Sequence, residues 1–160
     1  KEQLDAAGYE RMIATTTRLN TPGPDLAALE GVHALTDVTG FGLAGHALEL
    51  ARGASLSLEI DWRHVPVLEG VRDLVQAGHV TGASGRNWAG YGADVALPDG
   101  FAAEERALLT DPQTSGGLLV SCSPETVDEV LAVFQRHGFA TAAVIGSVQP
   151  QDGRPALVVR

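Results

Sequence analysis

The chain has 160 residues, of which 44% are hydrophobic, and this length suits one domain with a buried core. No apolar run approaches the roughly 18 residues that a membrane-spanning helix needs, so we expect a soluble, cytoplasmic protein without a membrane partner. Eleven basic and 20 acidic residues give a net charge of −9 with no basic run, which argues against a nucleic-acid partner.

The first 60 residues are predicted to hold three helices and two strands. Apolar residues recur at helical spacing up to Leu19, and the Asn-Thr-Pro-Gly-Pro segment over 20–24 then stops the helix. This pattern divides the chain into a helix with a stiff linker over 1–24 and a domain over 25–160. The further elements predicted here are a helix over 26–29, a strand over 32–36, a helix over 43–52 that Gly53 ends, and a half-buried strand over 56–60.

The rest of the chain alternates helices and strands without a regular strand-helix-strand rhythm. The glycine-rich stretch over 80–100 is predicted to be irregular, and the last two strands are predicted to pair as a hairpin around Asp152-Gly153. The predicted elements are helices over 67–77, 104–109 and 123–137, with Gly78 and Ser123 as caps, a buried strand over 118–122, and strands over 142–148 and 156–159. Together they predict the α+β class, a mixed β-sheet covered by helices.

A Gly-x-Gly-x-x-Gly pattern begins at Gly40, between a predicted strand and a predicted helix. Dinucleotide-binding domains use this pattern, so such a domain is one alternative. Glu59 or Asp61, near the end of the next predicted strand, would then bind the ribose. Polar residues, Asp37 among them, precede the pattern where a dinucleotide-binding fold has an apolar strand. Because a carboxylate beside a phosphate is repulsive unless a cation lies between them, Asp37 indicates a metal-bound phosphate. The other alternative is a loop in which Asp37 acts only as a cap.

Two further segments offer groups that bind anions. The loop over 111–117, Asp-Pro-Gln-Thr-Ser-Gly-Gly, presents amides and hydroxyls just before an apolar strand. The segment over 81–87 adds one cation, Arg86, and one side-chain amide, Asn87. No Gly-x-x-x-x-Gly-Lys-Ser/Thr pattern occurs, so a P-loop NTPase is excluded. An ordinary turn and a solvated surface loop are the alternatives for these two segments.

No histidine, cysteine or serine pattern predicts a catalytic nucleophile or a metal cluster. The five histidines lack His-Glu-x-x-His spacing, and His46, soon after the glycine loop, is the one nearest to a candidate site. Cys122 lies in an apolar run, where a buried thiol is expected, and a single cysteine allows no internal disulfide. No serine lies in a Gly-x-Ser-x-Gly elbow.

Three segments taken together closely resemble the selenophosphate synthetase family. They are 36–46, Thr-Asp-Val-Thr-Gly-Phe-Gly-Leu-Ala-Gly-His, then 85–87, Gly-Arg-Asn, and 111–119, Asp-Pro-Gln-Thr-Ser-Gly-Gly-Leu-Leu. Their order and separations match too, and the resemblance runs from about Tyr9 to the terminal strand. It covers only the C-terminal half of the family, so we expect the chain to be a fragment. Other members of the same ATP-binding superfamily, such as aminoimidazole ribonucleotide synthetase and thiamine phosphate kinase, share the architecture more than these motifs.

The resemblance implies a fold similar to the C-terminal domain of aminoimidazole ribonucleotide synthetase. It also implies a full-length enzyme that makes selenophosphate, AMP and phosphate from ATP, selenide and water, with Mg²⁺ and a monovalent cation such as K⁺. In the family, an N-terminal domain, from which the helix and linker over 1–24 would come, carries a reactive cysteine or selenocysteine, an essential lysine and most of the dimer interface. We therefore expect a homodimer for the full-length protein, and a fragment that has no catalytic residue and is inactive alone.

The resemblance assigns site residues as well. Asp37 matches an aspartate that helps to hold the metal ions on the ATP phosphates across the domain junction. Ala44 stands where a bulkier apolar residue is common, and we expect it to affect packing only. The residues matched to nucleotide-binding motifs are Thr36, Thr39, Gly40, Gly42, Asn87, Asp111, Gln113, Thr114, Ser115 and Gly116. A dinucleotide-binding oxidoreductase domain and a non-catalytic folding or oligomerisation module are the competing hypotheses.

Overall fold

Seven α-helices and six strands make up residues 4–160, the part of the chain that the computed structural model describes. The helices are α1 (Ala6–Thr16), α2 (Gly23–Ala27), α3 (Gly42–Ala54), α4 (Val71–Gln76), α5 (Gly82–Tyr91), α6 (Ala103–Leu109) and α7 (Val127–Arg136). The strands are β1 (Val32–Asp37), β2 (Leu56–Ile60), β3 (Val95–Ala96), β4 (Leu118–Cys122), β5 (Gly146–Pro150) and β6 (Leu157–Val159).

The strands form two sheets, and the larger one is mixed. β1 and β4 pair antiparallel, with Asp37 opposite Leu118 at the end next to the glycine loop. The second sheet has the order β3-β6-β2-β5, in which β2 pairs parallel with β6 and antiparallel with β5. Because helices pack on these sheets around shared apolar cores, the predicted α+β class with a mixed sheet is confirmed.

The predicted C-terminal hairpin is wrong, because β2 lies between β5 and β6. The chain does turn at Asp152 and Gly153, where φ is 34° and 76°. The strands before and after that turn pair with opposite edges of β2 instead of with each other. The inner place of β6 buries Leu157 and Val159, which a two-stranded hairpin would leave exposed on one side.

α3 lies at the centre of the main core. Ala44, Ala47, Leu48 and Ala51 have no exposed surface, and three of these four side chains are small enough for the helix to pack closely on the larger sheet. The unusual alanine at position 44 therefore belongs to this packing. A second apolar cluster, built on Leu26, Val130 and Val133, lies between α2, α7 and the β1–β4 sheet.

The stretch over 80–100 is not irregular as predicted, since it contains α5, a short 3-10 turn and β3. α5 contains several glycines and few apolar residues, so its sequence lacks the apolar periodicity that predicts a helix. Trp88 and Tyr91 pack against the main core, and particular polar contacts add to this: the Thr81 hydroxyl accepts from Ser84 N at the helix start. The Ser84 hydroxyl, which is buried, bonds to the Thr110 hydroxyl over 2.7 Å, and Arg106 lies over the Trp88 ring.

The end of α3 and the start of α4 differ from prediction, because in each case a residue with a positive φ lies at a different position from the predicted boundary. α3 continues past Gly53 to Ala54 and ends where Ser55 adopts a φ of 54°. α4 starts only at Val71, after Gly70 with a φ of 80°. Each predicted helix is thus present, with shifted bounds.

The region around β4 also differs in detail. β4 was predicted to be buried, yet all its residues are half-buried, because helices cover only part of a two-stranded sheet. Ser123 makes no capping bond to the backbone; its hydroxyl instead contacts the Thr126 hydroxyl at 2.8 Å. A 3-10 turn over Pro124–Thr126 therefore precedes α7.

α1 lies apart from both cores. The predicted N-terminal helix is present, but no residue of α1 is buried, and Tyr9, Met12 and Ile13 leave 41–57% of their surface exposed. The segment after it is held by Arg18, whose guanidinium donates to His137 O over 2.9 Å. The division into a helix with linker over 1–24 and a domain over 25–160 stays a prediction.

Candidate functional site

The glycine loop that follows β1 and the loop that precedes β4 lie side by side. Since β1 and β4 are antiparallel neighbours, both loops occur at the same end of the small sheet. Val38 N donates to Gly117 O over 2.9 Å, and Gln113 N donates to Thr39 O over 3.0 Å. Two of the three motifs quoted above therefore form one continuous surface.

Two glycines permit this close approach of backbones. A Cβ added at Gly116 would lie 1.8 Å from Val38 O, so only glycine fits between the two loops. Gly42 has a φ of 69°, and a Cβ there would lie 2.6 Å from the carbonyl carbon of Thr110. Gly42 and Gly116 of the predicted site are thus needed by the backbone itself, whereas a Cβ at Gly40 would meet nothing within 4 Å.

Asn87 brings the third motif to the same place. Its Nδ2 donates to Gly40 O over 2.9 Å and to Thr110 O over 3.0 Å. Both hydrogens of this amide are therefore used to tie α5 to the glycine loop and to the end of α6. The neighbouring Arg86 is exposed on α5. The contacts within the described residues give Asn87 a role in holding the loop.

Tyr91 is a residue of this site that the sequence argument missed. Its hydroxyl donates to Phe41 O over 2.5 Å and fixes the tip of the glycine loop. Burial raises the pKa of Tyr91 to about 12, so the phenol keeps its proton and remains a donor. Nothing in the sequence pattern marks this tyrosine unless α5 is already recognised.

The open face of the site is polar. Asp37, Gly40, Thr114 and Ser115 are exposed, and Thr36 is half-buried. Within residues 4–160 the Asp37 carboxylate has no hydrogen bond or ion pair, although Asp37 O accepts from the Thr36 hydroxyl over 3.2 Å. An exposed carboxylate without a partner, beside backbone and hydroxyl groups, is suited to bind a cation.

Asp37 fits a divalent metal as one ligand among several. Over residues 4–160 no group of three or more His, Cys, Asp or Glu side chains lies close enough to hold a metal ion. Mg²⁺ is commonly held by one or two carboxylates together with substrate phosphates and water, so a single aspartate is compatible with it. A metal ion held by Asp37 would therefore take its remaining ligands from substrate phosphates, water or residues outside this range.

Asp111 faces a different environment. It lines a pocket of about 110 Å³ between α4 and α6, together with Leu74, Val75 and His79. Burial raises the pKa of the Asp111 carboxyl above its usual range. The protein therefore carries a partly desolvated carboxylate at the start of the loop over 111–117.

Replacing Asp111 by asparagine is expected to raise the melting midpoint of the protein at pH 7. A raised carboxyl pKa means that the folded state holds the proton longer than the unfolded state, so Asp111 lowers stability as pH rises from about 4. Asparagine does not titrate, and the gain should therefore shrink toward pH 4. Calorimetry from pH 4 to 8 measures the difference, with the exposed Asp99→Asn as control. A gain that does not change with pH would contradict the burial argument.

The strand arrangement argues against a dinucleotide-binding fold. That fold needs the strand before the glycine loop and the strand after the next helix to be parallel in one sheet. Here β1 pairs antiparallel with β4, while β2 lies in the other sheet. The Gly-x-Gly-x-x-Gly pattern at Gly40 therefore lacks the structural context that the dinucleotide hypothesis requires.

No helix within residues 4–160 is long and apolar enough to cross a membrane.

The family model described as "AIR synthase related protein, C-terminal domain" matches residues 13–158. The chain belongs to this family. This match confirms the predicted similarity to the C-terminal domain of aminoimidazole ribonucleotide synthetase, and the relatives described next confirm the resemblance to selenophosphate synthetase.

Several curated relatives of this AIR synthase related domain are named "Selenide, water dikinase". The protein from Burkholderia ambifaria (strain MC40-6) is 65% identical over 92% of this chain and 42% of its own length. The protein from Dechloromonas aromatica (strain RCB) is 58% identical over 99% of this chain and 45% of its own length. The chain thus spans less than half of the length of the relatives that it matches.

Solved structures of HypE share the fold of this AIR synthase related domain. The crystal structure of HypE from E. coli, a hydrogenase maturation protein, matches with a TM-score of 0.62 at 19% identity, over 87% of this chain and 35% of that one. A HypE in complex with ATP matches with a TM-score of 0.59 at 24% identity, over 88% of this chain and 36% of that one. These matches establish the α+β fold.

Proposed function

We propose that the chain is the C-terminal part of a selenophosphate synthetase, also called selenide, water dikinase. The full-length enzyme would convert ATP, selenide and water into selenophosphate, AMP and phosphate. The support is the level of identity, 51–65% over 92–99% of this chain, to relatives that carry that name. The chain's own contribution would be one side of the ATP phosphate site.

The observation that carries this role is the unpartnered Asp37 carboxylate beside the loop over 111–117. A phosphate 4 Å from that carboxylate would be repelled by about 4 kcal/mol per pair of unit charges at an intermediate dielectric. Mg²⁺ bound between them supplies the opposite charge and neutralises the phosphate oxygens. Asp37 would bind the metal, and the exposed groups of Thr114 and Ser115 would contact the phosphates. K⁺ is a further proposed cofactor.

The remaining catalytic groups are proposed to lie in an N-terminal domain. Cys122 is half-buried in β4, and burial raises the pKa of its thiol, so it is poorly suited to act as a nucleophile. The exposed apolar side chains of Tyr9, Met12 and Ile13 on α1 are suited to contact such a domain. The active site would lie at the junction of the two domains in a cytoplasmic homodimer.

³¹P NMR of the full-length protein tests this proposal. The sample contains ATP, Mg²⁺ and selenide under anaerobic conditions. We expect a phosphorus signal coupled to selenium together with AMP, and neither product with the 160-residue chain alone. Formation of ADP, or unchanged ATP, would reject the selenide substrate and favour another reaction of the same ATP-binding superfamily.

A further inference from the structure

His46 is a buried histidine that the proposed function does not yet use. It lies in the second turn of α3, directly after the glycine loop, and only 6% of its surface is exposed. Its Nε2 lies 3.1 Å from the Thr39 hydroxyl oxygen. This contact joins the helix to the residue that stands two positions after Asp37.

The second ring nitrogen of His46 has no hydrogen-bond partner within residues 4–160. A carboxylate oxygen of Glu49 lies 3.0 Å from Nδ1, within the distance of an ion pair but outside the direction of a hydrogen bond. The negative charge of that oxygen, so close to Nδ1, favours an N–H over a bare lone pair at this nitrogen even without a hydrogen bond. With a ring proton on Nδ1 and a lone pair on Nε2, the Thr39 hydroxyl donates its hydrogen to Nε2.

Hydrogen bonds already fix the backbone of Thr39, so only the rotamer of its side chain can still vary. Thr39 O accepts from Gly42 N and from Gln113 N, both over 3.0 Å. A threonine side chain otherwise samples more than one staggered rotamer. The bond to His46 selects one of them and commits the hydroxyl hydrogen to the ring.

We propose that His46 is a positioning residue for the phosphate site, and that it holds the Thr39 hydroxyl as a hydrogen-bond acceptor beside Asp37. This inference rests on the proposed function. An oxygen that can only accept is suited to a water molecule on a hydrated divalent cation and unsuited to a phosphate oxygen. His46 would thereby favour Mg²⁺ at the Asp37 end of the glycine loop.

Kinetics of the full-length enzyme test the role of His46. His46→Phe keeps the ring shape and loses both nitrogens, while His46→Gln keeps an acceptor near the position of Nε2. We expect His46→Phe to raise the half-saturating Mg²⁺ concentration about tenfold or more, and His46→Gln to recover most of that loss. In a Thr39→Val background, His46→Phe should add no further change. A normal Mg²⁺ dependence of His46→Phe, or equal losses in both backgrounds, would overturn the proposal.

A spectroscopic measurement covers the case in which His46→Phe does not fold. Long-range ¹H–¹⁵N NMR of full-length protein labelled at histidine nitrogens reports which ring nitrogen carries the proton, and His46→Gln assigns the signal. We expect the proton on Nδ1 and none on Nε2, with an Nε2 shift that Thr39→Val changes. A ring protonated at Nε2, or at both nitrogens, would overturn the proposal.

The Asp37→Ala variant separates this inference from the proposed function. If that variant still makes selenophosphate at the normal rate, the proposed phosphate site is wrong. If Asp37→Ala loses activity while His46→Phe behaves as the parent enzyme, only the positioning role fails.

Discussion

Asp37→Ala in the full-length enzyme is expected to lower selenophosphate formation by roughly a hundredfold or more. In phosphoryl transfer the protein mainly positions groups and neutralises charge. The loss of one metal ligand therefore raises the free energy of the transition state strongly. The fold should be unaffected, because the Asp37 side chain is exposed and makes no contact that holds the loops within residues 4–160. ³¹P NMR measures the rate, and circular dichroism measures the melting midpoint.

Two control variants make the Asp37 experiment decisive. Asp99→Ala removes an exposed carboxylate from a loop elsewhere in the domain and should keep full activity. Asp37→Asn keeps the size of the side chain, removes the charge and should fall between the parent and Asp37→Ala. Near-normal turnover of Asp37→Ala, at saturating and at limiting Mg²⁺, would show that this aspartate binds no metal needed for the reaction.

Gly116→Ala is expected to destabilise the protein by about 4 kcal/mol or more, or to prevent folding. The new methyl group would lie 1.8 Å from Val38 O, and this neighbour is backbone that no rotamer change can move. The two loops would have to separate, which breaks the bond from Val38 N to Gly117 O and strains the bond from Gln113 N to Thr39 O. Urea denaturation followed by circular dichroism measures the loss.

Gly117→Ala provides the matched control for this prediction. Gly117 is the next residue in the same loop, it is exposed, and an added Cβ would meet nothing within 4 Å. We expect its change in the free energy of unfolding to stay below about 1 kcal/mol. Similar losses at positions 116 and 117 would mean that the loop needs glycine for chain flexibility and not for close approach.

Local signals predicted most helices and the strands near the site. The apolar spacing in α3 and α7 and the alternation in β2 are strong because one face of each element packs on a core. α5 escaped this argument because it has few apolar residues and is held in place by contacts with distant parts of the chain, such as Thr110. The pairing of β5 and β6 with β2 was likewise missed, because turn residues report where a chain bends and not which strands then pair.

The site was predictable as a set of motifs but not as an arrangement. The carboxylate just before the glycine pattern indicated a metal-bound phosphate at Asp37, and the resemblance to a family grouped it with Asn87 and the loop over 111–117. The contacts that join them depend on backbone positions far apart in sequence, as between Gly116 and Val38. The donor role of Tyr91 follows only once α5 is in place.

The place of β6 in the larger sheet has a consequence for folding during synthesis. β6 lies between β2 and β3, although about a hundred residues separate it from β2 in the chain. A nascent chain emerges from the ribosome in order, so β2 is made long before the strand that fills the space beside it. Until Leu157 and Val159 emerge, the apolar side chains of Leu58 and Ile60 lack part of their cover. Until β6 pairs with β2, the growing chain should therefore expose apolar surface that chaperones can bind.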